Sequence, residues 1–184
     1  PTRDAKEFAT LLNACGRLGR ASHGIGACLG DPKIKKQAIR SLGDYKKEIV
    51  IALNWYNDNK FTNDVFWGKQ FVIINAKDKV MSTMIGTLAS ILSKSNVMTN
   101  NRFIMSMAQA VDGNTKVSLR SANNLDGVLD LRKVIEEVID GIDNSECGGH
   151  KNAAGAVVPT ESEEKLIEVA KEVLGRYAVE EKVS

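Results

Sequence analysis

The feature that most limits what this chain can fold into is a change of hydrophobic period near residue 60. From Arg3 to Asp58 the apolar positions recur at helical spacing: Phe8, Leu11, Leu12 and Cys15, then Ile34, Ala38, Ile39 and Leu42. Asp31-Pro32 is a strong helix start, with Asp31 as N-cap and Pro32 in the first turn. That helix is expected to run on through Tyr45, Ile49, Ala52 and Leu53, weakened in its middle by Gly43. The polar stretch Asn54 to Asn63 ends the pattern.

Beyond it, short apolar runs alternate with helical ones. Phe71-Val72-Ile73-Ile74 reads as a buried strand and Met81 to Ser93 as an apolar helix. Phe103 to Val111 and Thr115 to Ser121 read as two strands joined around Asp112-Gly113-Asn114. Asp130 caps a helix whose Leu131, Val134, Ile135, Val138 and Ile139 share one face. Thr160-Glu161-Ser162-Glu163 has the form of a capping box opening a last helix through Leu166, Val169, Ala170 and Val173. The expected fold class is α/β: a mixed β-sheet domain with flanking helices over residues 64–184, preceded by a helical connector arm over residues 1–60.

With 184 residues and a net charge of only +2, any nucleic-acid role must rest on a local cluster of Lys and Arg. Cys15, Cys28 and Cys147 stand in three unrelated contexts without a CxxC pair, which argues against a disulfide framework or a structural zinc site and for a reducing cytoplasm. No apolar run reaches the roughly 18 residues needed to span a bilayer, so no membrane association is expected. Arg3, Asp4, Lys6 and Glu7 occupy the place of a signal h-region. The chain opens on Pro1 in place of methionine, as expected of a fragment or a processed product.

Two segments carry most of the chemical information. In Cys147-Gly148-Gly149-His150-Lys151-Asn152-Ala153-Ala154-Gly155, small residues allow close backbone approach. Glycines in a loop can turn successive N–H groups into an anion-binding nest, to which His150 and Lys151 add donors. A tight turn with an exposed histidine is the plain alternative. In Lys116-Val117-Ser118-Leu119-Arg120-Ser121, alternation places Lys116, Ser118 and Arg120 on one face and Val117 and Leu119 on the other. An Arg flanked by the hydroxyls of Ser118 and Ser121 suits a phosphate or carboxylate, and a solvated strand face has the same pattern.

A V-S-L-R-S strand followed about 25 residues later by G-G-H-K-N-A-A-G resembles the signature of the DHH-associated C-terminal domain, with Cys147 where the family carries another glycine. The segment Leu11 to Ser22, with Asn13-Ala14-Cys15-Gly16-Arg17 at its centre, resembles the N-A-x-G-R segment of RecJ exonucleases, and Arg3 to Thr10 resembles their archaeal branch. Asn13 and Arg17 are four apart, hence neighbours near a helix end beside Gly16 and Gly19, where a connector turn would use them equally well. Lys33, Lys35, Lys36, Arg40, Lys46 and Lys47 can follow a nucleic-acid backbone or form a solvated helix face.

The resemblance implies a manganese- or magnesium-dependent phosphodiesterase whose metals sit in a separate DHH domain. No DHH triplet occurs here, and His23 and His150 are the only histidines. This polypeptide alone is therefore expected neither to bind the catalytic metals nor to cleave DNA. It is expected to bind single-stranded DNA or RNA through Arg120, Ser118, Ser121, Gly148, Gly149, His150 and Asn152, with Asn13 and Arg17 contributing. The resemblance implies two alternatives: a phosphoesterase for short oligonucleotides or cyclic dinucleotides, or a module contacting the GINS replication complex, which an exposed apolar patch around Phe61, Val65, Phe66 and Trp67 would favour, where the same residues would equally suit a core.

Overall fold

A computed structural model describes residues 4–95, 103–122 and 129–180; Arg3, at the head of the expected arm, lies outside them. The chain divides into two compact units, Pro1–Ala52 and Leu53–Ser184.

The first unit is helical. Helix α1 (Ala5–Arg17) starts at Asp4, whose carboxylate accepts from Glu7 N–H at 2.7 Å; α2 spans Ala21–Cys28, and α3 (Pro32–Asn59) runs on into the second unit. Asp31 caps α3 as expected, accepting from the N–H groups of Lys33 (2.8 Å) and Ile34 (3.1 Å). Gly43 does not interrupt α3, because a single glycine costs about 1 kcal/mol and a long packed helix absorbs that. Leu11, Cys15, Ala27 and Ala38 form the core, flanked by Phe8 and Leu12. A Cβ at Gly26 would come within 2.5 Å of the Ile34 side chain, so α2 approaches α3 closely only because Gly26 lacks one. Arg20 then ties the α1–α2 turn to α3 through Asp44 (2.6 Å) and Ser41 (3.3 Å).

The second unit is built on a six-stranded sheet of order β1-β2-β3-β4-β6-β5: β1 Val65–Trp67, β2 Phe71–Asn75, β3 Phe103–Gln109, β4 Asn114–Ser121, β5 Glu146–His150 and β6 Ala153–Pro159. Only β2 and β3 run parallel; the other four pairs are antiparallel. The expected helix from Met81 to Ser93 is a 3-10 turn, Ser82–Met84, followed by α4 (Ile85–Leu92). Helix α4 packs on β3 and β4. Helices α5 (Leu131–Val138) and α6 (Glu163–Glu180) cover the opposite face. There Phe71, Ile73, Phe103, Met105, Met107, Val117 and Leu119 interdigitate with Leu131, Val134, Ile135, Val138, Leu166, Ala170 and Leu174. The period-2 alternation of β4 is therefore realised: Val117 and Leu119 enter this core, and Ser118 and Arg120 face α4.

Three expectations are corrected. Phe103–Val111 ends as a strand at Gln109. Residues 153–155, read as part of a loop, belong to β6 (Ala153–Pro159). Thr160–Glu163 is not a capping box: Thr160–Ser162 is a 3-10 turn, and buried Glu163 accepts instead from Asn75 Nδ2 (3.1 Å) and Thr115 Oγ1 (2.5 Å). Packing against the sheet supplies neutral donors that hold this carboxylate better than a local backbone N–H would.

Tyr56, near the end of α3, is 2% exposed, and its hydroxyl has no hydrogen-bond partner among the described residues. Burial pushes its phenol up to about 12. An unfolded tyrosine loses its proton near pH 10 while the folded one keeps it, so stability should fall as pH rises from about 10 to 12. Tyr56→Phe is expected to remove that fall and to raise stability at neutral pH by about 1 kcal/mol, read by urea unfolding at several pH values.

Candidate functional site

The residues singled out in β4, β5 and β6 converge on the α4 side of the sheet. Directly opposed residues of antiparallel strands share a face, so the register defines rows across the three strands. Arg120 opposes Ala153, which opposes His150; Ser118 opposes Gly155, which opposes Gly148; Lys116 opposes Val157, which opposes Glu146. The first row separates Arg120 from His150 by two strand spacings, about 10 Å, with only a methyl group between. In the second row neither Gly155 nor Gly148 has a side chain. The result is a shallow trough floored by backbone, with Arg120 and His150 on its rims. Lys116 and Glu146 end the third row, two strand spacings apart with Val157 between them.

The glycines have distinct reasons. A Cβ at Gly149 would fall 2.4 Å from Ala153 O, and its φ of 143° excludes other residues. A Cβ at Gly155 would fall 2.9 Å from Val117 O. These are the short backbone approaches anticipated from the small-residue run, made here by neighbouring strands. Gly148 differs: its φ is ordinary and a Cβ there would meet nothing within 4 Å. Among the described residues nothing requires glycine at 148, and nothing stands within 4 Å of where its Cβ would be.

The glycine segment is an edge strand and not a loop, which corrects the expected nest: along a strand successive N–H groups point in opposite directions and cannot converge on one anion. The turn is limited to Lys151 and Asn152, both exposed, with Lys151 O accepting from Leu131 N–H at 3.0 Å. Cys147 opposes Ala156, whose side chain enters the α5–α6 core, so its thiol lies across the sheet from the trough. Burial, with the Glu136 charge adding to it, raises the Cys147 thiol and keeps it protonated.

Arg120 is held as a rigid fork. Its Nε donates to Ser90 Oγ (3.1 Å), and its Nη1 donates to Leu119 O (2.8 Å) and Ala154 O (3.2 Å). A Cβ at Gly86 of α4 would lie 3.5 Å from its Nη2 and 3.6 Å from Ser118 Oγ, so Gly86 leaves the guanidinium room. Ser90, which donates in turn to Gly86 O (2.7 Å), was not legible in the sequence, because nothing local connects it to a residue 30 positions later. Ser90→Ala should leave Arg120 in place but less confined, lowering phosphodiester affinity about fivefold with a change in stability below about 1 kcal/mol, measured by titration and thermal melting.

Ser121 is not brought into the trough: it opposes Phe103 and so faces the α5–α6 core side. Asn13 and Arg17 lie in the first unit, near the carbonyl end of α1, where Asn13 is exposed and Arg17 half-buried. That end carries partial negative charge, so an anion there would rely on Arg17. Among the described residues no group of three or more His, Cys, Asp or Glu is placed to hold a metal ion, so these residues do not fit the two-metal centre implied by the resemblance. No helix among them is long and apolar enough to cross a membrane. Cys15, Cys28 and Cys147 are free thiols.

Residues 68–176, from just before β2 into α6, match the DHHA1 domain. The chain belongs to the DHHA1 domain family. This DHHA1 chain is 28% identical over 175 residues to an uncharacterized protein of Methanocaldococcus jannaschii, MJ0831, covering 94% of the chain and 36% of that relative. Its fold is similar to part of RecJ from Thermus thermophilus solved in complex with Mn2+, with a TM-score of 0.65 and 18% identity over 94% of this chain and 24% of RecJ. It is also similar to part of CDC45 from Entamoeba histolytica, with a TM-score of 0.55 and 7% identity over 75% of this chain and 29% of CDC45. The DHHA1 chain thus spans about a third or less of the length of these proteins.

Proposed function

We propose that this DHHA1 domain is the substrate-binding part of a RecJ-like, metal-dependent phosphodiesterase, and that the trough on β4, β6 and β5 holds a phosphate of single-stranded nucleic acid. The observation that carries this reading is Gly148: a glycine with ordinary backbone and open space above it, on the strand that carries the exposed His150 and in the row next to that of the fixed Arg120. Arg120 supplies directed charge-assisted donors, His150 a donor on the far rim, and the bare floor admits a sugar-phosphate backbone at van der Waals distance. Asn152 sits at the turn beyond His150. Asn13 and Arg17 are proposed as a separate polar contact within the first unit. Manganese or magnesium would be held by a DHH domain, and the contribution of this chain to catalysis is positioning. On this reading the chain by itself neither binds the metals nor cleaves.

The test is titration of the chain with a fluorescent single-stranded oligonucleotide at low and moderate salt, beside Arg120→Ala/His150→Ala. Salt-sensitive binding that is clearly weaker in the double variant is expected; binding unchanged in the double variant would refute the site. Running a dinucleotide alongside separates a short-oligonucleotide or cyclic-dinucleotide phosphoesterase, which needs no longer ligand, from an enzyme for long strands.

A second reading, a module that docks a replication partner such as the GINS complex, draws on exposed aromatics beside β1: Phe61 is 88% exposed, Phe66 40% and Trp67 38%. The aromatic variant Phe61→Ser should leave oligonucleotide binding intact under the first reading and abolish partner capture under the second.

A further inference from the structure

We infer that α3 carries a second nucleic-acid contact, a stripe of four cations that follows the phosphodiester backbone of a single strand. Lys33, Lys36, Arg40 and Lys47 are all exposed, and at 3.6 residues per turn they fall within about 60° of one another around the helix. They span about 21 Å along its axis, room for about six stacked nucleotides at 3.4 Å each. No carboxylate among the described residues pairs with Lys33, Lys36 or Arg40. Lys47 reaches Asp44 only at 3.7 Å and is 78% exposed. Asp44 borders the stripe but is held by Arg20 at 2.6 Å, and that guanidinium keeps its carboxyl below the usual range.

The arrangement works against the helix that bears it. The first turn of α3 has no acidic residue, so Lys33 and Lys36 face the positive end of the helix dipole. Lys33 and Lys36 are three apart and Lys36 and Arg40 four apart, so like charges sit side by side where opposite charges would stabilise. The Asp31 cap answers the helix end but pairs with none of these side chains, and like charges left side by side on an exposed surface point to a ligand that supplies negative charge. Cations set about 4.5, 6 and 10.5 Å apart along one side of a helix suit a flexible polyanion, whose charges can adjust to that spacing. This inference rests on α3 alone and does not require the trough on the sheet to bind anything.

The experiment compares Lys36→Gln/Arg40→Gln with Lys35→Gln/Lys46→Gln in the 184-residue chain. Both pairs remove two charges from the same helix, but Lys35 and Lys46 project about 110–130° from the centre of the stripe. For binding of a long oligothymidylate, the slope of log K against log salt is expected to fall by about 1.4 in the stripe variant, about 0.7 for each lost contact, and to stay unchanged in the control. Binding of a dinucleotide, too short to use the stripe, should be the same in both, whereas failure of the trough would appear as lost dinucleotide response to Arg120→Ala. Equal slope changes in the two variants would reduce the stripe to bulk charge and overturn the inference. So would no change in the stripe variant, or polyglutamate binding as tightly as the oligothymidylate at the same salt.

Discussion

Arg120→Ala is expected to weaken binding of a phosphodiester by roughly a hundredfold, the loss of about 3 kcal/mol carried by two charge-assisted hydrogen bonds from one guanidinium. The structural cost of the same change should be small. Arg120 is half-buried and its side chain is outside the α5–α6 core, so its removal opens no cavity there. A loss of stability near 1 kcal/mol, read by urea unfolding, would accompany a hundredfold loss of binding. Arg120→Lys should not restore affinity, because an ammonium keeps the charge but cannot satisfy Ser90, two carbonyls and a phosphate with one planar fork. Recovery of wild-type affinity in the lysine variant would reduce the site to diffuse charge.

The two adjacent glycines of β5 are expected to respond in opposite ways. Gly149→Ala forces a methyl group against Ala153 O and Ala154 Cα at a φ of 143°, so it should destabilise the chain by about 2–4 kcal/mol, unzipping β5 from β6. Gly148→Ala meets nothing and adopts an allowed backbone, so stability should stay within about 0.5 kcal/mol or rise slightly. Its methyl group would stand on the trough floor beside His150, in the row next to that of Arg120, and phosphodiester affinity should drop about tenfold or more. Urea unfolding and titration on the two variants separate a glycine that serves the fold from one that serves a ligand. Equal affinity in Gly148→Ala and the wild type would mean that the open space is incidental.

Much of the architecture is legible in the residues, and the failures have identifiable physical causes. The caps of α3 and α5 could be read directly, because Asp31 and Asp130 act on N–H groups two or three residues away. Strands β2, β3 and β4 are rich in β-branched and large apolar residues and could also be read. Strand β5 could not: Glu146-Cys147-Gly148-Gly149-His150 has neither β propensity nor alternation, and it is a strand only because β6 pairs with it. The same tertiary pairing converts an expected nest of N–H groups into a flat floor. Glu163 looked like half of a capping box and instead bonds to Asn75 and Thr115, 88 and 48 residues away, a choice local sequence cannot reveal.

Within the site, sequence grouped Arg120 correctly with Ser118, since alternation is a property of one strand, and wrongly with Ser121, which the same alternation turns to the opposite face. Pairing Arg120 with His150 came from resemblance and acquires a physical reason from the register, which puts them in one row with Ala153 between them. Ser90 and Gly86 were invisible because α4 reaches β4 only through the tertiary fold.

The most direct measurement is a titration of the isotopically labelled chain with a thymidine dinucleotide, following backbone amides and the Arg120 Nε–H by NMR. Saturable shifts at Gly148, Gly149, His150, Gly155 and Arg120, absent in Gly148→Ala, are the expected result. A folded chain whose shifts fall elsewhere, or that does not respond at millimolar dinucleotide, would contradict the assignment of the trough as a phosphodiester site.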